Sequence, residues 1–368
     1  MTSVDASSVG QVDGFFGPEE LERAAAQVLS EEVYGFVAGG ADDERTLAAN
    51  LSALRECVLL PRILARSATP RLTTSVAGID LEAPLLVAPM GMQRLIHADG
   101  ELATAAAARR AGVGFVLATG SSVALEDVAS VAGPARWFQL YLMRDRAMSA
   151  DLVQRAIAAD YRAIVLTADV PVVGTRPRDH RSQFKAPDGL RNANFEPYGS
   201  VDAAHHSYIG LIESDLGWED VEWLVDVCAG VPVIVKGLLR ADDARHALDH
   251  GAAGVVVSNH GGRQLGRAPA SIDALDAIVD EVQGRAAVLF DSGVRRAADA
   301  ITAIGRGADA ALLGRLTMWS LAVGGEAGVY KMLTQFQDQL RRTMTLLGVS
   351  SLGELGEVVG RKSNRRTM

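Results

Sequence analysis

From Pro84 onward, short β-branched and apolar runs alternate with stretches of roughly ten to fifteen residues whose apolar positions recur at helical spacing. Eight runs read as strands: PLLVAP (84–89), VGFVLAT (113–119), RWFQLYL (136–142), AIVLTAD (163–169), PVIVKG (232–237), GVVVSN (254–259), AVLFDSG (287–293) and AALLGR (310–315). Most are apolar at every position, the pattern of a strand buried on both faces. Eight parallel βα units predict an α/β protein with one closed (β/α)8 barrel rather than an open doubly wound sheet.

The helical stretches carry their own punctuation. Asp99 precedes GELATAAAARRAG, Ser149 precedes ADLVQRAIAAD, and Ala241-Asp242-Asp243 opens a helix stopping at Gly251. Strand starts are 22 to 33 residues apart except for one gap of 69, between the fourth and fifth strands. Residues 185–217 in that gap are rich in Gly, Asn, Pro and Ser and read as a loop inserted over the barrel mouth. Residues 1–83 are expected to form a helical extension packed around the base and side of a barrel spanning 84–368.

Composition narrows the function classes. With 48% hydrophobic and 22% charged residues the chain has material for a core, and disorder is excluded. Thirty-six basic against 45 acidic residues, a net charge of −9, argue against nucleic acid. The one cationic run, Arg361, Lys362, Arg365 and Arg366, reads as a solvated tail. MTSVDASSVGQVDGFF carries Asp5 and Asp13 and no apolar run of signal length, so a cytoplasmic protein without membrane attachment is expected. Cys57 and Cys228 have no partner at ligand spacing, which predicts reduced thiols and no metal. Only four lysines accompany 32 arginines, so Lys236, set inside the apolar strand VPVIVKG, needs an explanation.

Barrel chemistry collects at strand carboxyl ends. The densest signal there is SNHGGRQ (258–264), where His260 follows an apolar strand and Arg263 comes three residues later across two glycines. A base and an anion clamp share one loop. Asp169, ending TAD, is placed to hold the imidazolium and raise its pKa. Buried Lys236 has two open roles, Schiff-base nucleophile or electrostatic stabiliser of a reduced cofactor. The last two strands end in DSGVRR and LLGR, where glycine amides and arginines can surround a phosphate.

Together with FVAGGADDERTLAAN (36–50), LPRIL (60–64), VAPMGMQ, WFQLYLMRDR, LTADVPVVGTR and SLGEL (351–355), these motifs resemble the FMN-dependent 2-hydroxy acid oxidase and dehydrogenase family over nearly the whole chain. The family includes glycolate oxidase, lactate oxidase, mandelate dehydrogenase and 4-hydroxymandelate oxidase. The resemblance implies that His260 takes a proton from the substrate while Asp169 orients it. Arg263 and Arg176 hold the substrate carboxylate, with Tyr141 near the reacting hydroxyl. Lys236 stabilises the anionic reduced flavin. Gln139 and Thr167 contact the pyrimidine edge, Ser258 lines the flavin site with Pro89, Met90 and Gly91, and Arg295, Gly314 and Arg315 bind the phosphate with Asp291 and Gly293 nearby. It also implies a homo-oligomer, a tetramer or larger.

Several positions depart from the commoner family pattern. Phe36 stands where many relatives carry a carboxylate-binding tyrosine, and Gly120 where glycolate oxidase has tryptophan, which implies a roomier pocket for a large or aryl side chain. Gly91 replaces an alanine usual in oxidases, which leaves oxygen or another electron acceptor open; Ala118 replaces a frequent serine, and Ser292 a glycine. The expected activity is oxidation of a 2-hydroxy acid, mandelate-like in size, to the 2-oxo acid. Alternatives are an FMN-dependent oxidase of another biosynthetic intermediate, a Schiff-base aldolase using Lys236, or a non-catalytic barrel.

Overall fold

In the computed structural model the described residues are 17–65, 69–187, 189–199 and 209–360. The amino terminus before Gly17, the cationic residues Arg361, Lys362, Arg365 and Arg366, and residues 188 and 200–208 of the insertion lie outside them.

All eight expected strands form. They are β3 (Leu85–Val87), β4 (Gly114–Ala118), β5 (Arg136–Leu140), β6 (Ile164–Thr167), β7 (Val233–Leu238), β8 (Gly254–Val257), β9 (Ala287–Phe290) and β10 (Ala310–Leu313). Each pairs in parallel with its sequence neighbour, and β10 returns to β3, so the sheet closes. Helices α4 (Gly100–Arg110), α5 (Leu125–Val131), α6 (Arg146–Ala158), α8 (Trp218–Cys228), α9 (Ala241–Asp249), α10 (Ser271–Val282), α11 (Ala297–Gly305) and α12 (Arg315–Leu347) occupy the connections. The short α7 (Pro177–Ser182) lies in the long β6–β7 connection.

Caps differ from expectation in detail. Helix α6 starts at Arg146, and Asp145 is its cap, accepting from Ala147 N at 2.9 Å. Ser149 sits one turn inside, where its hydroxyl receives Met143 N at 2.8 Å and pins the loop leaving β5. A buried loop amide needs that acceptor more than the helix needs a second cap.

The segment before the barrel holds α1 (Pro18–Val28), α2 (Glu31–Ala38) and α3 (Arg45–Arg55), and also an antiparallel hairpin of β1 (Thr74–Val76) and β2 (Ile79–Leu81) that the pattern did not predict. Strands of three residues are too short to register as alternation. The hairpin closes the barrel base: Val76 and Leu81 pack with Leu86, Val116 and Trp137 from inside the sheet. Of the three helices, α1 packs on α12 and α3 on α10 and α11, along the side of the barrel. Helix α2 runs to the mouth, where the carbonyls of Phe36, Val37 and Gly39 at its carboxyl end receive arginines.

The interior explains where the chemistry must be. Leu86, Val116, Trp137, Val165, Ile234, Val256, Leu289 and Leu312 fill the cylinder. Alternation along a strand puts the residue two further on the same face, one layer higher. On β5 to β10 those residues are Gln139, Thr167, Lys236, Ser258, Asp291 and Gly314. From β5 to β9 the interior turns polar in a single step, while Ala88 and Ala118 keep the positions above Leu86 and Val116 apolar.

Candidate active site

Above that polar layer lies a cavity of about 220 Å³. Pro89, Met90, Gly91, Gln139, Tyr141, Lys236, His260, Asp291, Gly293 and the arginines 176, 263, 295 and 315 line it together with Phe36 and Gly314. Thr167, Ser258 and Asp169 stand behind the lining. Thr167 is buried at the register position of Lys236, and the other two hold lining residues in place.

His260 Nδ1 lies 3.0 Å from Asp169 Oδ1, which leaves Nε2 to exchange a proton. The carboxyl end of β7 makes room for this pair. Gly237 has φ +114°, beside an irregularity in the β7–β8 register, and a Cβ there would sit 2.6 Å from Asp169 Cβ. Burial pushes the Asp169 carboxyl up, but His260 and Lys236 outweigh it and hold the group below its ordinary range. Asp169 raises the pKa of His260 as expected, but it is outweighed. Burial is the larger influence and lowers that pKa, Lys236 lowers it again, and the net direction is down. A neutral imidazole is favoured, the form a base requires.

Lys236 Nζ donates to Ser258 Oγ at 3.0 Å and lies 3.3 Å from Asp291 Oδ2. Burial opposes its charge, but Asp291 and Asp169 more than restore it. A lysine held protonated is in the wrong state for Schiff-base attack, so the electrostatic role is the one this geometry suits.

The arginines are short of counter-charge. Arg263 Nη1 donates to the carbonyls of Phe36 and Gly39 at 2.8 and 2.9 Å, and its guanidinium lies 5.2 Å over the Phe36 ring. Burial, then Arg176 and Arg315, holds it well below its usual range. Arg315 is bound by the carbonyls of Val37, Gly261 and Gly39, and burial with Arg295 beside it brings it down to about 9. Burial also lowers Arg295, which lies over Trp319. Arg176 Nε is buried without a hydrogen-bond partner, and its nearest carboxylate, Asp179, is 3.9 Å away. Carbonyl dipoles position these cations without neutralising them, so the cavity favours anions.

A profile of the FMN-dependent dehydrogenase family matches residues 25–361. The chain belongs to that family. It is 44% identical over 348 residues to L-lactate oxidase of Nostoc sp., covering 91% of this chain and 95% of that one. Glycolate oxidase of Spinacia oleracea is 42% identical (91% and 93% covered), and 2-hydroxyacid oxidase 1 of Homo sapiens 39% (94% and 96%). Among solved structures, mandelate oxidase superposes with a TM-score of 0.88 at 41% identity, covering 94% of this chain and 98% of that one. The resemblance drawn from the motifs is thus confirmed, and the chain is an FMN-dependent oxidoreductase.

The donors of this family member suit the cofactor. Gln139 Oε1 is taken by Thr119 N at 3.1 Å, and its Nε2 is buried with no partner, an amide donor ready for a carbonyl oxygen. Arg295 and Arg315 stand beside Gly293 and the amino terminus of α12, a combination that suits a phosphate.

Gly120 does not line the cavity. Its carbonyl receives Met92 N at 2.9 Å and lies 2.6 Å from where a Cβ on Gly91 would be, so it acts on the pocket through the Gly91 loop. Sequence reasoning missed the apolar wall of Val170, Val173, Leu95, Ile96, Ile209 and Ile212. Valines and isoleucines in loops carry no chemical signature. It also missed Gln264, whose amide donates to the carbonyls of Asp169 and Val172 at 2.9 Å and ties the loop after β6 to the His260 loop. Phe184 was missed as well; it stacks on Phe36 at 4.7 Å. Among the described residues there is no cluster of three or more His, Cys, Asp or Glu able to hold a metal, and no helix long and apolar enough to cross a membrane.

Proposed function

We propose that the protein oxidises a 2-hydroxy acid with a large or aromatic side chain to the 2-oxo acid, with His260 as the proton acceptor. The observation that carries this reading is the His260–Asp169 pair at 3.0 Å, opening on a cavity that Arg176, Arg263 and Lys236 also line. Arg263 and Arg176 bind the carboxylate, and Tyr141 lies on the same wall for the hydroxyl. The apolar loop residues and Phe36 take the side chain. The relatives named for lactate, glycolate and mandelate support the 2-hydroxy acid class, and the mandelate oxidase structures support an aryl group.

Oxidation of the acid releases two protons and two electrons. Bound FMN would supply the acceptor for the two electrons and the second proton, and oxygen or another acceptor would take them on. Gln139, Lys236, Gly293, Arg295, Gly314 and Arg315 would hold it. His260 Nε2 takes one proton, and Asp169 stabilises the imidazolium that results. The same imidazole serves whether the proton leaves the hydroxyl or the α-carbon. Lys236 keeps positive charge in the polar layer.

An anaerobic screen of the FMN-loaded protein tests the reading. Mandelate or 4-hydroxymandelate should bleach the flavin absorbance faster than lactate or glycolate, and admitted oxygen reports the second half-reaction. Bleaching by none of the four acids would favour a different substrate class; faster bleaching by glycolate would remove the aryl assignment.

A further inference from the structure

Three consecutive amides of the loop after β8 are received by two serine hydroxyls. Asn259 N and Gly261 N donate to Ser292 Oγ at 3.2 and 2.9 Å, and His260 N between them donates to Ser258 Oγ at 3.0 Å. Charged groups join the two hydroxyls. Ser292 Oγ donates to Asp291 Oδ1 at 2.7 Å, Asp291 Oδ2 lies 3.3 Å from Lys236 Nζ, and Lys236 donates to Ser258 at 3.0 Å. The result is a closed ring across the ends of β7, β8 and β9, centred on the backbone that carries the imidazole.

Ser292 is 7% exposed, and its hydroxyl is fully used, with two bonds accepted and one donated. Its φ is +77°, and that of His260 is +58°. Both are left-handed, a conformation costly for residues other than glycine and kept only where surrounding bonds impose it. Glycine at position 292 would take that backbone freely, so what serine adds is the hydroxyl.

We propose that Ser292 is a positioning residue for His260: its hydroxyl fixes the left-handed loop that presents the imidazole and ties that loop to the Asp291–Lys236 pair. The proposal rests on the reading of His260 as proton acceptor. The charged groups facing His260 are Asp169 after β6, Lys236 on β7 and Asp291 after β9. Arg263 is on its own loop, and Arg315 at the head of α12 binds the Gly261 carbonyl. A displacement of about 1 Å at a reacting group can cost roughly a hundredfold in rate. The ring is what opposes such a displacement.

The test compares Ser292→Gly, Ser292→Ala and His260→Gln with the parent in FMN-loaded form. It measures the FMN dissociation constant, the thermal midpoint and the anaerobic rate of flavin bleaching by mandelate against pH. Both Ser292 variants should bind FMN within about threefold of the parent, yet bleach about 10- to 100-fold more slowly. The acid limb of their profile should move to lower pH, because His260 spends less time against the carboxylate that raises its pKa. An unchanged rate and limb in Ser292→Gly would overturn the proposal. So would a loss confined to Ser292→Ala, which would make backbone strain the cause, or a loss matching FMN release. Normal bleaching by His260→Gln would instead sink the reading of His260, whereas slow His260→Gln with normal Ser292→Gly would sink Ser292 alone.

Discussion

The two ends of the barrel use the same strands to opposite effect. At the base, Trp137, Leu86 and Val116 meet the hairpin residues Val76 and Leu81, and the one polar side-chain atom among them, Trp137 Nε1, is buried without a partner. One step up the same interior face, Gln139, Lys236 and Asp291 replace apolar side chains, with buried donors such as Gln139 Nε2 and Arg176 Nε unpaired. The apolar base contributes folding energy that offsets the cost of keeping arginines short of counter-charge at the mouth. Stability and affinity for anions are thereby separated along one axis.

The sharpest way to break this contrast is His260→Gln, expected to retain FMN while slowing bleaching by about 10²- to 10⁴-fold. Near-normal rates would remove the proton acceptor from the mouth. The pH profile sharpens the same point. His260 must be neutral to accept a proton, and burial lowers its pKa, so activity should fall only below the ordinary imidazole value of about 6.5. Asp169→Asn removes the influence that raises that pKa and should move the limb lower still; a limb above 6.5 in the parent would contradict the burial argument.

Lys236→Met breaks a buried ion pair and strands Asp291, so denaturation should show a loss of about 3–5 kcal/mol, together with weaker FMN retention or slower bleaching. Unchanged behaviour in all three would refute the electrostatic assignment. At the base, Leu81→Ala should cost about 2–5 kcal/mol and leave the rate per folded molecule as it was. A rate loss there would show that the two ends are coupled. The smallest effect is expected from Gly120→Trp, which should lower the ratio of kcat/KM for mandelate over glycolate about tenfold by crowding the pocket behind Gly91. An unaltered ratio would mean that the apolar loops alone set side-chain size.

Much of the mouth was legible because strand periodicity and strand-end chemistry coincide. Lys236 interrupts an apolar strand, Asp291 follows one directly, His260 and Arg263 stand in the loop after one, and a polar residue at those positions has few reasons to be there. The Phe36–Phe184 stack and the carbonyls that seat Arg263 and Arg315 were not legible, since they join residues distant in sequence through backbone atoms that every residue carries. The net direction of the His260 pKa was not legible for a related reason. The sequence names Asp169 as a neighbour, but burial depends on everything packed around the ring.

The order of residues was enough to set eight parallel strands, their inward faces and the layer at which chemistry begins, because alternation and helical spacing act over a few neighbouring positions. Tertiary structure alone decided that a hairpin plugs the base and that α2 reaches the mouth. It alone closed the ring through Ser292 around the His260 loop. Those arrangements depend on which distant groups share one volume, and that is settled only when the chain has closed on itself.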